Sequence, residues 1–150
     1  MPTGIHKKIR LCEQGQLPSA IIRLKSGWLV AGDVQPLQGY CILMADPVAR
    51  DLNSLSEDAR IQYCLDMSRI GDGLLQVRGA YRINYEIWGN LDPALHTHIV
   101  PRFLEEPDLL RVQTPRQAYD WEKGRAFSAE LDGPWMADLR AYLSNFVLKR

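Results

Sequence analysis

Pro93 and Pro101 bracket a segment in which side-chain character alternates, with Ala94, His96 and His98 in one register and Leu95, Thr97 and Ile99 in the other. Proline lacks an amide donor and fixes its own backbone, so a strand between two of them has defined ends. Successive strand residues point to opposite faces. This strand therefore has an apolar side that can pack and a second side carrying both histidines. It needs neighbours, and the chain supplies segments of strand length. Residues 19–24 and 28–33 are rich in Ile, Val and Leu on either side of the turn Lys25-Ser26-Gly27. After Pro36 and Gly39 comes a third apolar run at 40–44, placed to pair with the second as a hairpin. Two more extended segments, 81–88 and 94–100, flank the turn-prone Gly89-Asn90-Leu91-Asp92-Pro93.

Helical signals are fewer. Ser56 is an N-cap residue followed by Glu57 and Asp58, which suit the positive first turn of a helix. Tyr63, Met67, Ile70 and Leu74 then recur at helical spacing and form one apolar stripe for core packing. Gly71 and Gly73 weaken the far end. A last helix is predicted to begin at Pro134, just after Asp132 and Gly133, with Met136, Leu139, Leu143 and Phe146 on one face. Lys149 and Arg150 suit its negative C-terminal end. Residues 103–133, with Pro107, Pro115 and scattered aromatics, receive no assignment. Several strands interrupted by one helix and closed by another predict an α+β domain over residues 1–150. Short connections between neighbouring strands favour an antiparallel sheet of about five strands.

Formal charge is zero, from 18 basic and 18 acidic side chains. That balance lacks the basic excess of a sequence-independent nucleic-acid grip. The basic opening around Lys7, Lys8 and Arg10 reads as a solvated face. No apolar run approaches the roughly 20 residues that span a bilayer, and no signal peptide is evident. Cys12, Cys41 and Cys64 are odd in number, far apart and not arranged as Cys-x-x-Cys. That pattern points to a reducing compartment, so a cytoplasmic protein is expected.

His96 and His98 are two of three histidines in the chain. Three readings of the pair compete: side chains without a role, two ligands of a metal, or a nucleophile with a helper. Imidazoles at i and i+2 can share an ion such as zinc, but no evident Asp, Glu, His or Cys cluster supplies further ligands. A neutral imidazole can attack phosphorus and form a covalent intermediate, and its ordinary pKa of about 6.5 leaves it largely uncharged at neutral pH. The spacing alone does not decide among these.

The surroundings are more specific. The run Ile83-Asn84-Tyr85-Glu86-Ile87-Trp88-Gly89-Asn90-Leu91-Asp92-Pro93-Ala94-Leu95-His96-Thr97-His98-Ile99-Val100-Pro101-Arg102 resembles the signature of the histidine triad (HIT) superfamily. In that signature histidines alternate with apolar residues and are followed by two apolar residues and Pro-Arg. Ile83-Asn84-Tyr85 is similar to the preceding strand of bacterial dinucleoside-polyphosphate hydrolases of this type. Residues 28–33, Pro36 and 39–44 resemble the family's first hairpin, and 52–67 its acidic helix. The resemblance runs in order from about residue 28 to residue 102.

It implies a HIT-like fold and an enzyme acting on a nucleotide. His96 would attack the α-phosphorus of a dinucleoside polyphosphate such as diadenosine tetraphosphate, and water would release a mononucleotide. His98 would contact phosphate oxygens. Asn84 and Asn90 would donate to phosphate, Asp33 would hold the ribose hydroxyls, and Arg102 would reach distal phosphates unless it is an ordinary surface arginine. The resemblance requires no metal site and no cofactor beyond a divalent cation accompanying the nucleotide, and it implies a homodimer without nucleic-acid or membrane partners. Two departures stand out. Ala94 replaces the first histidine of the triad, leaving support of the nucleophile to backbone or water. Tyr40 stands where the family often has a histidine. These departures keep two alternatives open: a nucleotide-binding module with little turnover, and a phosphorylase using phosphate as acceptor.

Overall fold

Five strands build one antiparallel sheet in the computed structural model, which describes residues 2–147. They are β1 (Ala20–Leu24), β2 (Gly27–Ala31), β3 (Cys41–Ala45), β4 (Arg82–Glu86) and β5 (His96–Arg102), in the spatial order β1-β2-β3-β5-β4. The accompanying helices are α1 (Gly4–Glu13), α2 (Glu57–Arg78), α3 (Asp108–Arg111), α4 (Pro115–Ala118) and α5 (Ala129–Leu143). This is the expected α+β class, with a central and a C-terminal helix. β5 continues past its predicted end through Pro101 because its pairing with β3 stops at Ile99. Beyond that point the strand has β4 alone as neighbour, where a missing amide is tolerated.

The alternation in β5 sorts its residues between two cores. Leu95 and Ile99 join Leu29, Leu43, Ile70, Leu74 and Leu139 under α2 and α5. The Tyr63 hydroxyl of α2 donates to the Leu43 carbonyl at 3.2 Å and lies 2.7 Å from the Thr97 hydroxyl, which pins β5 to the helix behind it. Ala94 and Val100 turn the other way and join Val30, Ile42 and Met44 under α1. Full burial of one such aliphatic side chain is worth about 1.5–3 kcal/mol, against about 0–1 kcal/mol for an exposed ion pair. Apolar register therefore decides which face of β5 carries the histidines.

Three expectations need correction. Residues 5–10 are not a solvated stretch but part of α1, in which Ile5, Ile9 and Cys12 are buried. Their spacing of four and three makes an apolar stripe, and of residues 5–10 Lys7 and Arg10 are the exposed ones. Thr3 and His6 close a capping box, with the His6 amide donating to the Thr3 hydroxyl and the Thr3 amide to His6 Nδ1. α2 runs straight through Gly71 and Gly73, because both glycines make room for neighbours. A Cβ at Gly71 would strike the Tyr85 hydroxyl, and one at Gly73 would lie 2.6 Å from a Leu139 methyl. Last, α5 starts at Ala129 rather than Pro134. Ser128 caps it, accepting from the Leu131 amide, and buried Asp132 accepts from the Ser128 amide and the Trp135 indole. Those bonds hold the first turn in place ahead of the proline. Lys149 and Arg150 lie outside the described residues.

The unassigned stretch after β5 is organised by Arg102, which is 2% exposed. Its Nε and one amino group donate to Glu106, and the amino groups also reach the carbonyls of Leu110 and Gln113 and the Asn84 side chain. Glu106 further accepts from the Phe103 amide at 2.6 Å and the Tyr119 hydroxyl at 2.7 Å. One guanidinium thus ties α3, α4 and the segment beyond them to the end of β5. Arg102→Met strands a buried carboxylate and two carbonyls, and is expected to cost about 3–5 kcal/mol of stability. Denaturant unfolding measures that loss, and hydrogen exchange should show residues 103–121 opening before β5.

Candidate active site

His96 sits at the start of β5, 9% exposed, with its Nδ1 2.7 Å from the carbonyl oxygen of Ala94. A carbonyl only accepts, so Nδ1 carries the proton. In the neutral ring the lone pair then lies on Nε2. The backbone of Ala94 thus supplies the support that its side chain lacks, by fixing both the tautomer and the tilt of the ring.

His98 lies one pleat further along the same face, its ring centroid 5.0 Å from that of His96 and its plane turned by 76°. Its Nδ1 is 2.6 Å from the Tyr40 hydroxyl. Burial holds the Tyr40 phenol protonated well above the usual tyrosine range. The hydroxyl has no other hydrogen-bond partner among the described residues, so it donates to His98 Nδ1. Nε2 of His98 then bears the hydrogen and is a donor. Burial first, then His96, Arg116 and Lys8, push the His98 pKa down to about 4. The two rings therefore present opposite chemistry side by side: a lone pair on His96 and a neutral N–H on His98.

Above them opens a cleft of about 500 Å³ whose lining includes His96, His98, Trp88, Asn90, Asp92 and Arg116. One wall is the turn between β4 and β5. Asp92 anchors this turn by accepting from the Ile5 amide in the first turn of α1 at 3.1 Å. The facing group is Arg116 of α4. Its guanidinium lies 4.8 Å over the Trp121 ring, and its Nε donates to Glu86 at 3.4 Å. Glu86 is paired directly with His98 across β4 and β5.

The expected site residues divide accordingly. His96, His98 and Asn90 line one cleft. Asn84 faces the same side of the sheet, opposite Val100, but its amide oxygen accepts from Arg102 at 3.0 Å and it lines a different groove. Arg102 is neither a surface arginine nor a wall of the histidine cleft, because protein acceptors occupy its guanidinium. Asp33 lies past the end of β2, exposed and paired with Lys8 of α1 at 2.8 Å. Two contributors were not anticipated. Tyr40 enters the sequence reading only as a departure from the family pattern, and Arg116 lies in the stretch without an assignment. Thr114, Pro115 and Gln117 do spell a helix start, with a cap, a first-position proline and a capping-box partner. That signal locates α4 but not the direction in which Arg116 points.

No family model matches the sequence, and no curated protein matches it. Solved structures do resemble it. A histidine triad protein from Marinobacter aquaeolei VT8 superposes with a TM-score of 0.72 at 16% identity, over 95% of this chain and 96% of that one. One from Bradyrhizobium japonicum gives 0.69 at 22% identity, over 89% and 93%. The diadenosine triphosphate hydrolase of Plasmodium falciparum gives 0.60 at 14% identity, over 85% and 78%. At these identities the likeness establishes the fold, which is that of histidine triad proteins.

The low pKa of His98 has a consequence for acid stability. An unfolded histidine titrates near 6.5 and the folded His98 near 4. Between those values the unfolded chain takes up a proton that the folded site refuses, so stability falls as pH drops through this window. His98→Asn removes that share. Thermal melting from pH 7 to pH 4 should therefore show a shallower decline for the variant, and parallel profiles would contradict the assignment.

Proposed function

We propose that this chain is a nucleotide-processing enzyme of the HIT type, in which His96 attacks the α-phosphorus of a nucleotide. The observation behind the reading is the bond from His96 Nδ1 to the Ala94 carbonyl, which leaves Nε2 as the only ring nitrogen with a lone pair to donate. In the first step Nε2 forms a bond to phosphorus, and the bond from phosphorus to the leaving oxygen breaks with its electron pair. The ring becomes a positively charged nucleotidyl-imidazolium, and the Ala94 carbonyl steadies that charge through the Nδ1 hydrogen. In the second step water attacks phosphorus, the P–N bond returns its electrons to Nε2, and a nucleoside monophosphate leaves.

His98 acts as the neutral donor to a non-bridging phosphate oxygen, where charge accumulates in the transition state. Preorganised donors of this kind are worth several kcal/mol in a site that excludes water. Asn90 is a second donor from the turn wall. Asp33 can meet ribose hydroxyls only by sharing its carboxylate with Lys8, and Asn84 and Arg102 act at one remove by holding the chain around the cleft. The favoured substrate is a dinucleoside polyphosphate such as diadenosine tetraphosphate, with any divalent cation arriving as part of the substrate. A second copy is expected against β4, the edge strand, where Tyr81, Tyr85 and Ile87 are exposed. Solution mass tests that pairing.

Ala94 and Tyr40, which stand where the family often has histidines, favour one other reading, a nucleotide-binding module with little turnover. Rapid quenching of a single turnover with labelled diadenosine tetraphosphate separates the two. The expected result is an acid-labile adduct on wild-type protein, absent from His96→Asn, whose turnover should fall by about a thousand-fold or more. A wild-type protein that binds nucleotide yet forms neither adduct nor mononucleotide is a binding module. Product analysis with added phosphate distinguishes water from phosphate as acceptor.

A further inference from the structure

Arg116 has no assigned work in the reading above, and its surroundings are built. Trp121 stacks under the guanidinium, and Trp121 is itself held by its indole N–H donating to the Pro115 carbonyl at 3.1 Å and by edge-on contact with Tyr40. Glu86 takes Nε, and also the indole N–H of Trp88 at 3.4 Å. Neither terminal amino group of Arg116 has a hydrogen-bond partner among the described residues. The side chain remains 46% exposed, and it lines the histidine cleft.

Stabilising the fold does not account for this arrangement. A single contact of 3.4 Å at that exposure contributes little. What the stack and the Nε contact do achieve is orientation: they fix the plane of the guanidinium and leave its two-pronged end over open space. Such a fork matches two oxygens of a phosphate. Glu86 on the Nε side repels an anion, so a phosphate is admitted only at the free end.

Position identifies which phosphate. Asp33 and Lys8 lie toward β2, Arg116 contacts β4, and the histidines sit on β5 between them. A nucleotide with its ribose toward Asp33 and its α-phosphorus at His96 extends its far side toward Arg116. Resting on the nucleotide reading, we infer that Arg116 is the specificity residue for the leaving group and selects one that carries phosphate. The substrate class is accordingly a nucleotide whose α-phosphate is linked to a further phosphate chain, rather than to an amine or another uncharged group.

The test compares two substrates with the same nucleotidyl half. Diadenosine tetraphosphate expels a polyanion, and an adenosine 5′-phosphoramidate of a simple amine expels a neutral group. For Arg116→Gln the ratio of kcat/KM on the first to that on the second should fall by about 10- to 100-fold, the share of a charge-assisted contact. Arg116→Lys should recover part of it, since an ammonium keeps the charge but lacks the fork. Equal losses on both substrates, or none on either, overturn the assignment while leaving the nucleotide reading intact. Should wild-type protein turn over neither substrate, the enzymatic reading fails, and calorimetric binding decides the role of Arg116 instead. A loss in Arg116→Gln confined to ATP and sparing AMP supports the assignment. A common loss, no loss, or no binding of either nucleotide to wild-type protein overturns it.

Discussion

The buried guanidinium of Arg102 closes β5, and the stretch that carries α3 and α4 hangs from it. Two segments outside the helices and named strands, 103–107 and 119–128, must keep their backbone polar groups satisfied. Arg102 collects the carbonyls of Leu110 and Gln113, which lie between those two segments, and pairs with Glu106 in the first of them, which in turn gathers the Phe103 amide and the Tyr119 phenol. Few side chains offer five donors in one plane, which is why the position demands arginine and not lysine. Tyr119, Trp121 and the backbone bridge of Val34 with Ala126 follow from that fixed origin.

The histidine pair illustrates how a site can be organised without a full set of imidazoles. One ring is oriented by a carbonyl two residues before it, just ahead of β5, the other by a phenol at the entry of β3. Neither arrangement places a carboxylate against a ring. The nearby cations find their carboxylates elsewhere: Lys8 is paired with Asp33, and Arg116 gives only its Nε to Glu86, which leaves the terminal amino groups of Arg116 open to an anion.

Much of the sheet was legible from the sequence because alternation and short turns are local signals. The histidine face was legible for the same reason, since a two-residue period assigns each side chain of β5 to a face without knowledge of its neighbours. α1 was hidden behind its charge: Lys7, Lys8 and Arg10 dominate the composition, while Ile5, Ile9 and Cys12 carry the fold at helical spacing. Apart from the start of α4, the stretch from 103 to 128 was illegible because its order comes from side chain to backbone bonds over 8 and 11 residues, which leave no periodic trace. Arg102 itself was visible as part of a motif, yet exposure and burial of an arginine look alike in a sequence. Arg116 was beyond reach for a further reason. Its direction depends on Trp121, five residues further on, and on Glu86, which strand pairing brings in from thirty residues upstream.

The two walls of the cleft differ in how they are held. The wall bearing Arg116 is locked through Arg102, Glu106 and Trp121. The wall formed by the turn after β4 is tied to α1 by the Ile5 amide donating to Asp92 and to β4 by the exposed Trp88 indole donating to Glu86, and the other Asp92 oxygen is buried without a partner among the described residues. Trp88 and Leu91 on that turn are 67% and 100% exposed, so nothing in the core constrains their identity. Sequence drift among descendants of this chain can therefore reshape one side of the cleft at Trp88 and Leu91 while the opposite side stays tied to the integrity of the fold.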